Sequence, residues 1–157
     1  MSAFYRFSTQ IRVRYIETDL QGHINFVHHF TYFGVGITEY LRHLDFDYYR
    51  MLDENLDMLF IDAHASFNGP AFFDELIRIH CRIGHIGNTS LRFDFQVVAQ
   101  QEERLVSTGE VTAVMADKAT RKKTRVPDRL RQLVARYEND PDMLASSGTD
   151  DRDFQNK

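Results

Sequence analysis

The chain has 157 residues, 43% of them hydrophobic, and a formal net charge of −4. That length is enough for one self-sufficient hydrophobic core, and the negative charge argues against broad binding to nucleic acid. Cys81 is the only cysteine, so an intrachain disulfide is excluded, and with no His/Asp spacing typical of a metal site neither a metal nor a cofactor is expected.

Targeting and membrane segments are not expected. Residues 1–10 are polar and aromatic and lack the apolar stretch of a signal peptide. No window approaches the ~18 consecutive apolar residues of a spanning helix. We therefore expect a cytoplasmic protein in which Cys81 is a small core residue.

In the first part of the chain the spacing of hydrophobic residues changes from a two-residue to a 3.6-residue period. Alternation over residues 7–15 predicts a half-buried strand. Apolar residues at three- and four-residue spacing predict a helix over residues 25–44, with Asn25 as its N-cap. Gly34 and Gly36 interrupt that helix, either because another surface approaches closely or because the positions tolerate a weak helix former.

The second part of the chain favours extended segments joined by short turns. The predicted strands are residues 58–67, 75–83, 90–99 and 105–115, preceded by a helical turn around residues 48–52 and followed by a helix that begins at Pro127. Consecutive strands with short turns predict an antiparallel meander, and one long helix against it predicts an α+β domain over residues 1–138. Residues 139–157 are predicted to be a disordered tail.

The stretch between the first strand and the long helix carries the acid-base chemistry. It reads YIETDLQGHIN from Tyr15 to Asn25 and includes Asp19 and His23. A carboxylate and an imidazole placed where a helix begins lie near unpaired backbone N–H groups. Cleavage of an activated carbonyl needs that combination.

Three stretches resemble a hotdog-fold thioesterase of the 4-hydroxybenzoyl-CoA thioesterase type. They are residues 13–25 (VRYIETDLQGHIN) with Tyr32-Phe33, residues 65–76 (ASFNGPAFFDEL) and residues 87–93 (GNTSLRF). Together with the order of elements, the resemblance spans about residues 5–138.

The resemblance implies an antiparallel sheet wrapped around a central helix, and a dimer that joins two sheets edge to edge. It also places the active site at the dimer interface, near the start of that helix. Asp19 falls on the catalytic carboxylate of the family, and Tyr15 matches an assisting tyrosine of the bacterial acyl-CoA branch. His23 matches a histidine of plant acyl-carrier-protein thioesterases, with Gln21 at the position of their carboxamide.

The chain also departs from its relatives at three places. Phe26 stands where the bacterial branch often has a histidine, and Gly34 and Ile37 stand where many relatives have Glu and Arg. Residues 87–89 replace a basic cluster that holds the CoA phosphates in the type enzyme. The acyl and carrier preferences of one branch therefore do not carry over.

Two residues have both a catalytic and a structural interpretation. Asp19 is either a general base or nucleophile, or the cap of a turn that contains a glycine. His23 either holds the carbonyl, orients water or tunes Asp19, or only hydrogen-bonds the turn. The oxyanion would be held by backbone N–H groups at the start of the helix.

The neighbouring side chains favour structural roles. Asn25 is a cap rather than a catalyst, and Tyr15 is a packed aromatic whose hydroxyl can reach the site. His28 and His29 are interpreted as facing a pocket rim or a partner subunit.

Candidate substrate-binding residues extend beyond this stretch. They are Gln21, Gly22, Asn25, Phe26, Phe67, Ser90, Arg121 and Lys122. The basic run of residues 121–125 is either a clamp for the CoA phosphates or a solvated turn. The phenylalanines line an acyl pocket or belong to the core.

The predicted function is hydrolysis of acyl-CoA, or acyl-carrier-protein, thioesters by a homodimer or a dimer-of-dimers tetramer, without a nucleic-acid partner. Two alternatives stay open: a hotdog hydratase or dehydratase that uses Asp19 with His23, and a non-catalytic module that binds acyl thioesters.

Overall fold

An antiparallel sheet wraps around one long helix in the computed structural model of the chain, which describes residues 4–145. The strands are β1 (Phe7–Arg12), β2 (Leu56–Phe67), β3 (Leu76–Ile86), β4 (Ser90–Ala99) and β5 (Arg104–Asp117), and the helices are α1 (His28–His43), α2 (Tyr48–Asp53) and α3 (Asp128–Glu138). The predicted α+β architecture, a sheet around a central helix, is confirmed.

The strands lie in the order β1-β3-β4-β5-β2, and every neighbouring pair is antiparallel. Strands β3, β4 and β5 form the predicted meander. The prediction is wrong for β2, which pairs with β5 at the far edge of the sheet instead of with β3. The chain crosses between them through residues 68–75, a connection longer than the two to five residues of a β-hairpin.

Helix α1 packs its apolar face against the sheet, and Gly36 lies where the two come closest. A Cβ at Gly36 would stand 3.0 Å from Ile79 Cγ2 and 3.2 Å from Phe95 Cε1, whereas one at Gly34 would meet nothing within 4 Å. Beside this contact, the rings of Phe33 and Phe95 stack at 4.5 Å. The close approach of the sheet therefore explains the glycine at position 36. Position 34 is a place where the helix tolerates a weak helix former.

Three element boundaries lie three residues from the predicted positions, and the other differences are smaller. Strand β1 ends early because Tyr15–Glu17 form a turn of 3-10 helix. Helix α1 begins late because residues 25–27 form a turn in which the His28 N–H donates to the Asn25 carbonyl at 3.0 Å. Strand β3 runs on to Ile86 because a bulge absorbs Gly84.

The core and the turn after α3 agree only in part with the predictions. Cys81 is fully buried, as predicted for a small core residue. Pro141–Leu144 form a short 3-10 turn with Met143 buried, so the first residues of the predicted tail are packed, and residues 146–157 lie outside the described residues. No helix within residues 4–145 is long and apolar enough to cross a membrane.

Candidate active site

The stretch between β1 and α1 folds into a loop closed by its own backbone. Thr18 and Ile24 form an isolated antiparallel bridge, inside which the Asp19 N–H donates to the His23 carbonyl at 3.1 Å. Gly22 turns the chain with φ of +84°, a left-handed conformation that side chains with a Cβ rarely adopt. Asp19 and His23 consequently stand at the two ends of one tight turn.

A buried carboxylate fixes this loop to the central helix. Glu17 is 1% exposed, accepts hydrogen bonds from the Arg14 side chain at 2.7 Å and backbone at 2.8 Å, and accepts a third from the Tyr32 hydroxyl at 3.0 Å. Burial alone would raise the pKa of the Glu17 carboxyl, but these hydrogen bonds outweigh it and lower the pKa. Because Tyr32 belongs to α1, the loop and the helix keep one relative position.

The connection from β2 to β3 forms the opposite wall. The Ile24 N–H donates to the Ala71 carbonyl at 2.8 Å, and His23 forms a backbone bridge with Phe72. Between the two walls is a cleft of about 480 Å³. It is lined by Asp19, Gln21, His23, Ile24, Phe26, His29, Phe67, Asn68, Gly69, Pro70, Ala71 and Phe72. Five of the predicted site residues therefore meet in one cleft.

Asp19 has the predicted capping role, and that role occupies only one of its two carboxylate oxygens. One carboxylate oxygen, Oδ1, accepts the Gln21 N–H at 2.8 Å and so caps its own turn. The other oxygen, Oδ2, accepts no hydrogen bond from residues 4–145. A carboxylate held by one oxygen keeps the second available to a water molecule or a substrate.

The His23 ring is oriented by its own backbone neighbour. Its Nδ1 lies 3.1 Å from the Ile24 carbonyl oxygen, which only accepts hydrogen bonds. The neutral ring therefore carries its proton on Nδ1. Its Nε2 is left as a hydrogen-bond acceptor beside the cleft.

The start of α1 contributes an unused donor. The Asn25 side chain accepts the Val27 N–H at 3.1 Å, so Asn25 caps the turn that precedes the helix. The N–H groups of His28 and His29 donate to the carbonyls of Asn25 and Phe26. Within residues 4–145 the Phe26 N–H donates no hydrogen bond. This donor lies at the positive end of the helix dipole.

His29 is a cleft residue to which the sequence assigned no chemistry. It is 4% exposed, and its ring packs against Phe67 with centroids 4.7 Å apart. Burial lowers the pKa of His29 to about 4, with smaller contributions from the charges of His23 and His28. Its spacing of three residues from Phe26 indicated the shared helix face.

Aromatic side chains surround the mouth of the cleft. Phe26 and Phe67, both predicted substrate contacts, lie edge to face with centroids 6.1 Å apart. Phe72 and Asn68 join them from the β2–β3 connection, whose residues the sequence indicated only as a turn. The prediction that Tyr15 is a packed aromatic is wrong: its side chain is 80% exposed because the chain turns out of β1 before it, and its ring contacts Phe73, with centroids 6.1 Å apart, outside the lining of the cleft.

Gly22 and Asn25, also predicted substrate contacts, belong to the loop but do not line the cleft. The three remaining predicted contacts lie at the opposite end of the sheet. Arg121 pairs with Asp57 at 3.3 Å where β2 begins, and Lys122 is exposed next to it. Ser90 opens β4 at the same end. Phe67 is ten residues beyond Asp57 along β2, which corresponds to about 33 Å of extended strand. Within one protomer these three residues do not join Asp19.

No group of three or more His, Cys, Asp or Glu side chains in the described part of the chain could hold a metal ion. The groups that converge on the cleft are instead a carboxylate, two imidazoles and a backbone N–H.

The similarity to known proteins extends from the Asp19 loop into α3. The model of the thioesterase-like superfamily matches residues 13–134. The chain is 26% identical over 131 residues to the acyl-CoA thioester hydrolase YbgC of Escherichia coli, which covers 83% of this chain and 95% of that protein.

Solved structures share the fold. A 1,4-dihydroxy-2-naphthoyl-CoA thioesterase from Synechocystis superimposes with a TM-score of 0.76 at 15% identity, covering 82% of this chain and 95% of that one. A DHNA-CoA thioesterase from Staphylococcus aureus superimposes with a TM-score of 0.77 at 20% identity, covering 84% of this chain and 90% of that one. At these identities the similarity establishes the fold.

Proposed function

The chain belongs to the thioesterase-like superfamily, and we propose that it hydrolyses acyl-CoA thioesters to a free acid and CoA. Family membership confirms the resemblance carried by residues 13–25. The observation that carries the proposal is a carboxylate with one free oxygen, Asp19, in an apolar cleft that also holds the start of α1. The similarity to a protein named as an acyl-CoA thioester hydrolase supports this substrate class.

The free carboxylate oxygen of Asp19 is proposed to drive attack on the acyl carbon by one of two routes. As a general base, it takes a proton from water while the water oxygen bonds to that carbon. The tetrahedral intermediate then re-forms its carbonyl and expels the CoA thiolate. As a nucleophile, Asp19 instead displaces the thiolate itself, and water hydrolyses the resulting mixed anhydride. In either route the CoA thiolate leaves without much assistance, because thiols ionise near pH 8.5 and a thiolate is therefore a stable leaving group.

The unpaired Phe26 N–H is the proposed oxyanion donor. A backbone N–H at a helix start is fixed before the reaction, so it stabilises developing charge without reorganisation. The dipole of α1 adds to this effect. His23 is proposed to orient the attacking water through Nε2, which its bond to the Ile24 carbonyl leaves as an acceptor. Tyr15 is proposed to assist from the rim of the cleft.

A second copy of the chain is proposed to cover β2. This strand has 12 residues and lies at the edge of the sheet, where one row of backbone N–H and C=O groups has no neighbouring strand among residues 4–145. Phe60 and Ile61 in its middle are 58% and 37% exposed, and Phe67 at its end is also exposed and contacts the exposed ring of Phe26 at the cleft. A two-fold pairing of β2 with itself would bury the whole surface in a homodimer, and two such dimers could form a tetramer.

This pairing would also complete the substrate site. In an antiparallel two-fold pair the start of one β2 lies beside the end of the other. Arg121, held near the start of β2 by Asp57, would then approach Phe67 in the cleft of the second copy. Lys122 would approach with it, and Ser90 would lie behind them. The basic run is therefore proposed to bind the CoA phosphates across the interface.

A panel of acyl-CoAs tests the proposed function. Thiol release from aliphatic and aromatic acyl-CoAs is followed with a thiol reagent, and crotonyl-CoA is followed in parallel by its loss of enoyl absorbance. The proposal expects thiol release without hydration of crotonyl-CoA. Hydration without thiol release would favour the hydratase, and ligand-induced thermal stabilisation without any turnover would favour the binding module.

A further inference from the structure

His29 is a buried imidazole whose ring nitrogens make no hydrogen bond within residues 4–145. It is the second residue of α1, and its ring forms part of the cleft wall that contains Asp19 and His23. The fully enclosed Nδ1 has no hydrogen-bond partner, and Nε2 makes no hydrogen bond to any residue between 4 and 145. Leaving a buried polar group unpaired costs about 1–3 kcal/mol. A ligand in the cleft can pair only with Nε2, the nitrogen that is not enclosed, so that is where we look for a partner.

The His29 ring is neutral near pH 7. Burial lowers the pKa of His29 to about 4, and the nearby His23 and His28 oppose a further positive charge. No carboxylate forms an ion pair with His29 in the described part of the chain. A neutral imidazole carries one N–H and one acceptor nitrogen.

The two nitrogens differ in what they can reach. Nδ1 is enclosed by protein atoms. Nε2 also has no hydrogen-bond partner within residues 4–145, but it retains accessible surface. A proton on Nδ1 would be a buried N–H with no acceptor. A proton on Nε2 can meet water or a ligand, so the neutral ring presents its N–H through Nε2. His29 therefore offers the cleft a donor, in contrast to His23, whose Nε2 is an acceptor.

We propose that His29 is a further catalytic residue, whose neutral Nε2–H donates a hydrogen bond to the thioester carbonyl oxygen and to the oxyanion that forms from it. This inference rests on the proposed function. His29 lies three residues after Phe26, and its backbone N–H donates to the Phe26 carbonyl at 3.3 Å, so both donors belong to the same helical turn. A neutral imidazole stabilises an oxyanion without transferring its proton, because its remaining N–H is a very weak acid.

The tautomer is measured first, because it needs no substrate. Nitrogen-15 NMR of the imidazole groups distinguishes Nε2–H from Nδ1–H, and the His29→Gln variant assigns the signal among the 7 histidines. The expected result is a neutral Nε2–H ring from pH 6 to pH 8. A ring protonated on Nδ1, or on both nitrogens, would overturn the proposal.

Kinetics measure the contribution of the donor. His29→Leu removes it at similar volume and should lower kcat by about 10²-fold, the size expected for one oxyanion donor, while KM should rise by no more than the ~5–10-fold that the bond to the ground-state carbonyl contributes. His29→Gln places an amide N–H near the same point and should recover part of that loss. His28→Leu is the matched control, because His28 precedes it on α1 but does not line the cleft. Equal kcat values for the Leu and Gln variants, each with an unchanged melting temperature, would contradict the donor role.

Binding separates this inference from the proposed function. S-acetonyl-CoA is a non-hydrolysable thioether with a ketone, and S-isobutyl-CoA has the same shape without it. The wild-type protein should bind the ketone about 5–10-fold more tightly, and His29→Leu should lose this preference while binding the alkyl thioether unchanged. A wild-type preference that persists in His29→Leu would overturn the role of His29. Failure of the wild-type protein to bind either thioether would instead contradict the CoA-thioester function.

Discussion

The Tyr32 hydroxyl donates a 3.0 Å hydrogen bond to the Glu17 carboxylate, and this contact joins the Asp19 loop to the central helix. Both residues are buried, and Arg14 completes the set of donors around the carboxylate. Asp19 follows Glu17 by two residues, and Phe26 lies in the turn before α1. The Glu17–Tyr32 hydrogen bond therefore helps to set the distance between the Asp19 carboxylate and the proposed oxyanion donor.

Replacing Glu17 should loosen this arrangement. Glu17→Gln keeps the shape but weakens the charge-assisted bonds, and it should lower the free energy of unfolding by about 1–3 kcal/mol in urea titrations at pH 7. Since folding lowers the pKa of Glu17, its stabilising contribution is complete above the ordinary carboxyl value and is lost as pH falls through the lower folded value. The acid-side loss of stability should therefore be smaller in Glu17→Gln than in the wild-type protein.

Glu39→Gln is the matched control for that measurement. Glu39 also pairs with an arginine three residues away, Arg42, but on a more exposed part of α1. Its replacement should change the free energy of unfolding by less than about 0.5 kcal/mol. Equal effects of the two substitutions would contradict the anchoring role of Glu17.

The contact between α1 and the sheet predicts a difference between two glycines. Gly36→Val should lower the free energy of unfolding by about 1–3 kcal/mol, because the new side chain meets Ile79 and Phe95. Gly34→Val should be close to neutral, because the space around Gly34 is open. Thermal and urea unfolding of both variants make the comparison. A destabilised Gly34→Val beside a stable Gly36→Val would show that α1 packs through another face.

Local patterns predicted the helix, most strands and the position of Asp19, because each depends on residues close together in sequence. The place of β2 was not predictable in this way, since its partner β5 comes about 50 residues later along the chain. The Glu17–Tyr32 bond, with a separation of 15 residues, also left no periodic signal. The helical period placed His29 on the same helix face as Phe26. Its burial could not be predicted, because it depends on Phe67 and the β2–β3 connection, which come from a distant part of the sequence.

The proposed dimer should depend on the middle of β2. Phe60→Glu places a charge on the apolar surface and should convert the dimer to monomers in sedimentation experiments, with loss of thiol release because the site loses its second chain. Tyr49→Glu is the control, since Tyr49 is an even more exposed aromatic that belongs to α2 and not to the edge strand. A wild-type protein that sediments as a monomer with full activity would contradict the shared site.

The basic run should act on the nucleotide part of CoA. Lys122→Ala should raise KM for an acyl-CoA about 3–10-fold while leaving KM for the corresponding acyl-pantetheine unchanged, because only CoA carries the phosphates that the lysine would contact. Arg136→Ala, which removes an exposed charge from α3, should change neither. Equal increases of KM for both substrates in Lys122→Ala would exclude a phosphate contact.

Turnover of an acyl-CoA by Asp19→Ala tests the central claim most directly. With the same oligomeric state and melting temperature as the wild-type protein, the variant should lose 10²–10⁴-fold in kcat/KM, approximately the contribution of one acid-base group. Asp53→Ala, at the exposed end of α2, should retain full activity. Thiol release by folded Asp19→Ala within about twofold of the wild-type rate, a free-energy difference under ~0.5 kcal/mol, would contradict the account.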